Sequence, residues 1–379
     1  VSRNPPAGAG GEGGSGQDIA VQEDAQPEAP VPTVTIAGEE YPVNLEELDL
    51  SGKGLADSDL TNLGQMTELK ILNLEGNPDI SNLAVLSGLI TLEELELPSP
   101  SQISDLSPLS GLTGLTSLSM VENWGKSQQP LSLIQDYSPL AGLTGLKELS
   151  LSVINLSDFS FLDGMKGLET LRLVGSMVTE DLTFLENMKG LQYLKLDIYG
   201  VGSLHGLEGL TQLETLQFSW PRVSTYTDLS PLQNLTNLQI LVLPIPTDDT
   251  EVIYHVDSLA GMTNLSELRL PCVVESLEPL KNMTNLQTLT LRGGSGDRAR
   301  KTIESLPQLS GLEKLTTLEL YTRYLNGVDL TPVGSLTHLT SLNLYVDDSR
   351  SVDLSPLAGL PSLVNLSVNG EVMADWPPS

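Results

Sequence analysis

From Leu45 onward the apolar positions follow one spacing, L-x-x-L-x-L, which returns at intervals of roughly 22 to 24 residues. Its leading leucines are Leu45, Leu69, Leu92, Leu115, Leu146, Leu168, Leu191, Leu213, Leu238, Leu265, Leu286, Leu315, Leu339 and Leu363. Side chains alternate along a strand, so the closing L-x-L puts two leucines on one face and turns the residue between them to the other. A second phrase, D-L-S-P-L-x-x-L-x-x-L, fills the space between strands at Asp105 to Leu115, Asp228 to Leu238 and Asp353 to Leu363. Ser107-Pro108, Ser230-Pro231 and Ser355-Pro356 read as an N-cap followed by proline at the first helical position, and the length allows one turn of 3₁₀ helix. No single repeat buries its own leucines, so about fourteen repeats must stack. The predicted architecture is an α/β solenoid over residues 45–370, with one parallel sheet and short 3₁₀ or irregular segments opposite it.

The flanks read differently. Residues 33–44 alternate around a Gly38-Glu39 turn and predict a β-hairpin lid on the first repeat. Residues 1–32 are rich in Gly, Pro and acid and predict a flexible tether, while 371–379 are expected to close the far end.

Composition narrows the function. Hydrophobic residues are 39% but aromatics only 4%, so leucine must build the core. Asp plus Glu total 49 against 19 Lys plus Arg, a net charge of -30, which argues against nucleic acid or anionic lipid as a partner. One cysteine, Cys272, allows no internal disulfide and is expected to be a packed thiol. No run of 18 apolar residues is present and no basic-then-apolar leader opens the chain. His205, His255 and His338 lie several repeats apart, too far for a shared catalytic centre. No cofactor or metal is implied. Asp248-Asp249 and Asp347-Asp348 match no calcium loop and read as solvated acidic loops. The Asn-x-Ser/Thr triplets at Asn155, Asn234, Asn264, Asn282 and Asn365 read as repeat grammar.

The spacing, the D-L-S-P-L phrase and the L-T-N-L phrase resemble the bacterial internalin-type leucine-rich repeats over residues 45 to about 370. The resemblance implies a right-handed solenoid with a concave parallel sheet, and a secreted or surface-anchored bacterial protein that binds other molecules without catalysis. Members of that family commonly carry Asn three residues after the last strand leucine. Here Asn77 and Asn123 fill that place, while Ser176, Tyr199, Pro221, Pro246, Arg323 and Asp347 stand elsewhere, predicting a less regular exit edge.

The register predicts which side chains share the sheet face. Its central column reads Asp49, Asn73, Glu96, Ser119, Ser150, Arg172, Lys195, Gln217, Val242, Arg269, Thr290, Glu319, Asn343, Ser367. Arg172 and Lys195 are expected neighbours, placed either to accept an anionic group of a partner or to neutralise carboxylates such as Asp197. Arg292, Tyr321 and Tyr345 form a second strip, with Trp124, Tyr199, Trp220 and Tyr324 toward the strand exit and Tyr193 just before a strand. These are anchor residue types at interfaces; shielding of irregular turns is the competing reading. The four phenylalanines read as core. Longer intervals at 121–137, 244–257 and 292–306 predict insertions along one edge. The expected partner of this monomeric binder is a protein, with a glycan stacked on the rings as the alternative.

Overall fold

The computed structural model describes residues 31–121, 132–154, 156–218, 223–224, 228–243, 253–254, 256–270, 273–274, 276–292, 306–321, 329–346, 352–373 and 376. Trp124, Trp220, Tyr324, Cys272, His255, Asn123 and the tether up to residue 30 lie outside these residues, as does most of each expected insertion.

Strands β1 (Thr33–Ile36) and β2 (Glu39–Pro42) pair antiparallel. The turn falls at Ala37-Gly38, one residue earlier than expected, because both residues hold positive φ (51° and 82°), the geometry that matches the twist of a two-residue hairpin. Val34 and Ile36 are buried and continue the leucine core.

Each L-x-L then forms a strand of one long parallel sheet: β3 (Glu47–Asp49), β4 (Ile71–Asn73), β5 (Glu94–Glu96), β6 (Ser117–Met120), β7 (Glu148–Ile154), β8 (Thr170–Thr179), β9 (Tyr193–Val201) and β10 (Thr215–Phe218). Past the short β11 (Val223–Ser224) it runs on through β12 (Ile240–Val242), β14 (Glu267–Leu270), β16 (Thr288–Arg292), β17 (Thr317–Tyr321), β18 (Ser341–Tyr345) and β19 (Asn365–Val368). β13 (Ile253–Tyr254) and β15 (Val273–Val274) pair apart from it. β20 (Glu371–Val372) returns antiparallel on β19 through an Asn369-Gly370 turn, a hairpin whose Asn-Gly signal the sequence carried.

The sheet is closed by hydrogen bonds at the strand starts. The Glu46 carbonyl accepts from both Lys70 N and Ile71 N, at 2.7 and 3.0 Å, and the same two-to-one pattern recurs at Lys70, Glu93, Thr116 and Lys147. The leading leucines are buried, Leu45 only partly. Behind the sheet most connections contain a 3₁₀ turn, such as Ser107–Leu109, and one, Thr331–Gly334, is a single α turn.

Two sequence expectations need correction. Serine does not cap these turns. The flanking position is Leu106, and the Asp105 carboxylate one residue earlier accepts from Ser107 N (2.8 Å) and Ser107 Oγ (2.9 Å). Asp158, Asp181, Asp228, Asp329 and Asp353 likewise accept the backbone N–H of the residue two on. Nor are all four phenylalanines core. Phe161 and Phe218 are buried, but Phe159 and Phe184 replace Leu and Pro of the filler phrase, remain half-buried, and stack at 3.9 Å.

The exit edge solves its hydrogen bonding in two ways. Asn77, fully buried, accepts from Leu55 N (3.0 Å) and donates to the Leu50 and Leu74 carbonyls (both 2.9 Å). In the middle repeats, which lack Asn there, β7, β8 and β9 simply run longer: β7–β8 pairing continues from Ser152↔Val174 to Ile154↔Ser176, and β8–β9 pairing continues through Gly175↔Ile198 and resumes at Val178↔Gly200 after a bulge. Strand pairing thus takes over the role of the missing amide.

Candidate binding face

Every neighbour relation expected in the central column is present. Asp49 pairs with Asn73, Asn73 with Glu96, Glu96 with Ser119, Ser119 with Ser150, Ser150 with Arg172, and Arg172 with Lys195. The series continues through Gln217, Val242, Arg269, Thr290, Glu319 and Asn343 to Ser367.

At the middle of this face Asp197 stands two residues beyond Lys195 on β9, on the same side of the strand. Its Oδ2 lies 3.6 Å from Arg172 Nη2 and 3.5 Å from Lys195 Nζ. The cations therefore do neutralise Asp197, and two of them share that one carboxylate. Asp197 is 11% exposed, Lys195 25% and Arg172 36%, so the carboxylate is sunk while the cations reach solvent. Neither contact is a hydrogen bond by distance, and Arg172 Nε and Asp197 Oδ1 are buried without a hydrogen-bond partner. Tyr193, which begins β9 rather than preceding it, lies beside them; burial raises its phenol pKa above the usual value.

The two ends of the face differ from its centre. Glu47, Asp49, Glu94 and Glu96 on β3 and β5 are exposed. Desolvation first, and then repulsion from Glu75, Asp49 and Glu94, raises the Glu96 carboxyl above its ordinary value. At the other end the column is closed on itself. Thr290 Oγ1 and Asn343 Nδ2 donate to Glu319 at 3.3 and 3.2 Å, and Ser367 Oγ donates to Asn343 Oδ1 at 2.7 Å. Arg269 is held by Glu267 on its own strand at 2.7 Å.

Beside that closed column, Arg292, Tyr321 and Tyr345 occupy paired positions on three successive strands, and Tyr345 is half-buried. Tyr199 falls within β9.

His205 Nδ1 lies 2.6 Å from Glu208 Oε1, a bond that raises the imidazole pKa, but both groups are exposed on a turn. His338 is exposed too. Among the described residues, no group of three His, Cys, Asp or Glu is placed to hold a metal ion.

Sequence reasoning missed a side-chain ladder near the strand starts. Asn237, Asn264 and Asn285 each donate to a carbonyl one repeat earlier, Thr211, Thr236 and Thr263, at 2.9 to 3.0 Å. The recurring T-N-L phrase was its signal, and Asn264, one of the glycosylation-like positions, belongs to it.

This geometry has clear counterparts among solved structures. An internalin, InlF, from Listeria monocytogenes matches with a TM-score of 0.68 and 28% identity, over 87% of this chain and 90% of that one. The fold is the internalin-type leucine-rich repeat solenoid. A leucine-rich repeat protein of Leptospira interrogans also matches, with a TM-score of 0.57 and 18% identity, over 86% and 96% of the two chains. TLR13, solved with single-stranded RNA, shares the fold at a TM-score of 0.52 and 22% identity, over 83% of this chain but 45% of its own. No protein-family model matches the chain, and comparison with curated proteins returned no match. In this solenoid the parallel sheet is the concave side, so the column of Arg172 and Lys195 lies on the concave face.

Proposed function

We propose that this solenoid is a noncatalytic binder of a protein partner, and that the partner lies on the concave face. One observation carries the reading: two solvent-reaching cations share a single sunken carboxylate on a continuous parallel sheet, in a chain whose net charge is -30. An excess of positive charge kept against that background is a recognition feature, because structural neutrality needs only one cation per carboxylate. The Arg292, Tyr321 and Tyr345 positions, together with Tyr193, Tyr199, Trp124, Trp220 and Tyr324, supply residue types that anchor interfaces. The net charge disfavours RNA. Action at or outside the bacterial surface is part of the proposal, supported by the likeness to the Listeria internalin, and antibody labelling of intact cells tests it.

The binding test uses Arg172→Gln, Lys195→Gln and Asp197→Asn together. Charge reversal of the two cations would gather three carboxylates and confuse stability with binding, whereas the neutral triple variant removes the network whole. With a photo-crosslinker at Gln217, beside Lys195 in the register, the wild-type protein is expected to capture a polypeptide that the triple variant does not, at equal melting temperature. Retention by an immobilised polysaccharide that Tyr321→Ala or Trp220→Ala abolishes would replace the protein reading with a glycan one.

A further inference from the structure

Charge on the concave face is sorted by strand. Glu47, Asp49, Glu94 and Glu96 occupy β3 and β5, and Glu148 follows on β7, all exposed, and among the described residues none of the five has an ion pair within 4.0 Å. The cations nearest in sequence are engaged elsewhere, Lys53 by Glu39 and Lys70 by Glu46. Three strand steps beyond β5, Arg172 and Lys195 share Asp197, so two positive charges less one leave one positive charge to be matched. The donor Arg172 Nε is buried there without a partner. From β16 on the polar groups of the column bond one another, Thr290 and Asn343 to Glu319 and Ser367 to Asn343.

An occupant of this face must therefore bring positive charge to β3–β5 and a single negative charge to β8–β9. A polyanion meets the second demand and is repelled by the first and by the net charge. An uncharged glycan meets neither. A polypeptide carries both signs in one segment. We infer that the partner lays a net-cationic polypeptide segment across β3 to β9 and seats one carboxylate on Arg172 and Lys195. The inference rests on the protein-binding reading above and names the chemistry of its partner. Three steps of about 4.8 Å put the two charge zones about 14 Å apart, the reach of about four extended residues.

Model peptides test it on the intact chain. The probe is a fluorescein-labelled Gly/Ser peptide with three consecutive lysines and one glutamate about four residues beyond them. Its two counterparts replace the glutamate by glutamine, or the lysines by glutamates. Fluorescence anisotropy at low salt is expected to show the Lys/Glu peptide binding about five-fold more tightly than the Lys/Gln one, the yield of a charge-assisted bond partly open to water. The Arg172→Gln, Lys195→Gln, Asp197→Asn variant should erase that ratio. Glu47→Gln, Glu94→Gln and Glu96→Gln together should weaken both peptides alike, keep the ratio, and flatten the salt dependence. Equal affinity of the Lys/Glu and Lys/Gln peptides for the wild type, tighter binding of the all-acidic peptide, or no binding of the Lys/Glu peptide at millimolar concentration would each overturn the inference. Any of these, alongside a polypeptide crosslink lost in the triple variant, overturns the inference alone and leaves the protein-binding reading standing; glycan retention overturns both.

Discussion

Asn77 shows how much one side chain contributes where repeats meet. Its amide joins Leu55 N, Leu50 O and Leu74 O, two of them in the preceding repeat, with no exposure to water. Asn77→Ala strands a buried N–H and two carbonyls, so we expect a loss of about 3 kcal/mol. Since a solenoid loses repeats locally, the loss should appear first as faster hydrogen exchange at the Leu55 amide; unchanged exchange there would contradict the assignment. Asp197 is a milder case, partly shielded between two cations. Asp197→Asn should lower stability by about 1 kcal/mol, between the values for exposed and buried ion pairs, as read by urea unfolding. At this scale the sequence was legible wherever spacing alone decides, as for the leucines. It was less so where geometry decides: Ser107 and Asp105 are both good cap residues, and only the hydrogen bonds from Ser107 N and Oγ show that the aspartate does the capping.

Elements began where the L-x-x-L-x-L spacing placed them, and several ended elsewhere. The run Val174-Gly175-Ser176 looks like a strand leaving for a turn, because glycine usually punctuates strands. In the molecule β8 continues through it, since Val153 and Ile198 flank Gly175 and supply partners that no local pattern reveals. Gly175 has φ of 154°, and a Cβ there would fall 1.6 Å from the Val153 carbonyl oxygen. Gly175→Ala must then break the β7–β8 ladder or shift β8, at a cost of about 3 kcal/mol, measurable as a lower melting temperature with loss of protection in the Val178–Thr179 extension. Retention of wild-type stability would mean that this ladder is looser than its register indicates. The candidate site is legible for the same reason the strand starts are: side chains on a repeat align by number, so Arg172 and Lys195 could be paired before any coordinates. That they neutralise Asp197 was one of the two roles the sequence offered them; that both reach the same carboxylate oxygen is a matter of side-chain geometry, which spacing does not encode.

Over the whole molecule two electrostatic trends oppose each other as pH changes. Asp105, Asp158 and Asp181 are held below their ordinary pKa by the backbone N–H and then the hydroxyl of the residue two on. In Asp329 and Asp353 the hydroxyl is the larger cause. Their folded pKa values lie below the unfolded value near 3.9, so the stability they contribute is complete above about pH 4 and is lost as pH falls through the lowered values. Glu96 runs the other way, because its raised carboxyl is protonated first in the folded state and its cost grows as pH rises through that value. The net charge of -30 acts in the same sense as Glu96, since self-repulsion at neutral pH eases as carboxylates protonate toward the isoelectric point near 4.2. In low salt the melting temperature should therefore rise by a few degrees from pH 7 to about pH 5 and fall below about pH 4. Added salt, which screens the long-range repulsion but leaves the short aspartate bonds, should raise the pH 7 value and keep the acid fall. Far-UV circular dichroism melts at several pH values separate the two terms. A steady decline from pH 7 to pH 5 would show that local aspartate bonds outweigh the repulsion throughout, and would remove the argument that the concave cations stand out against a strained acidic background.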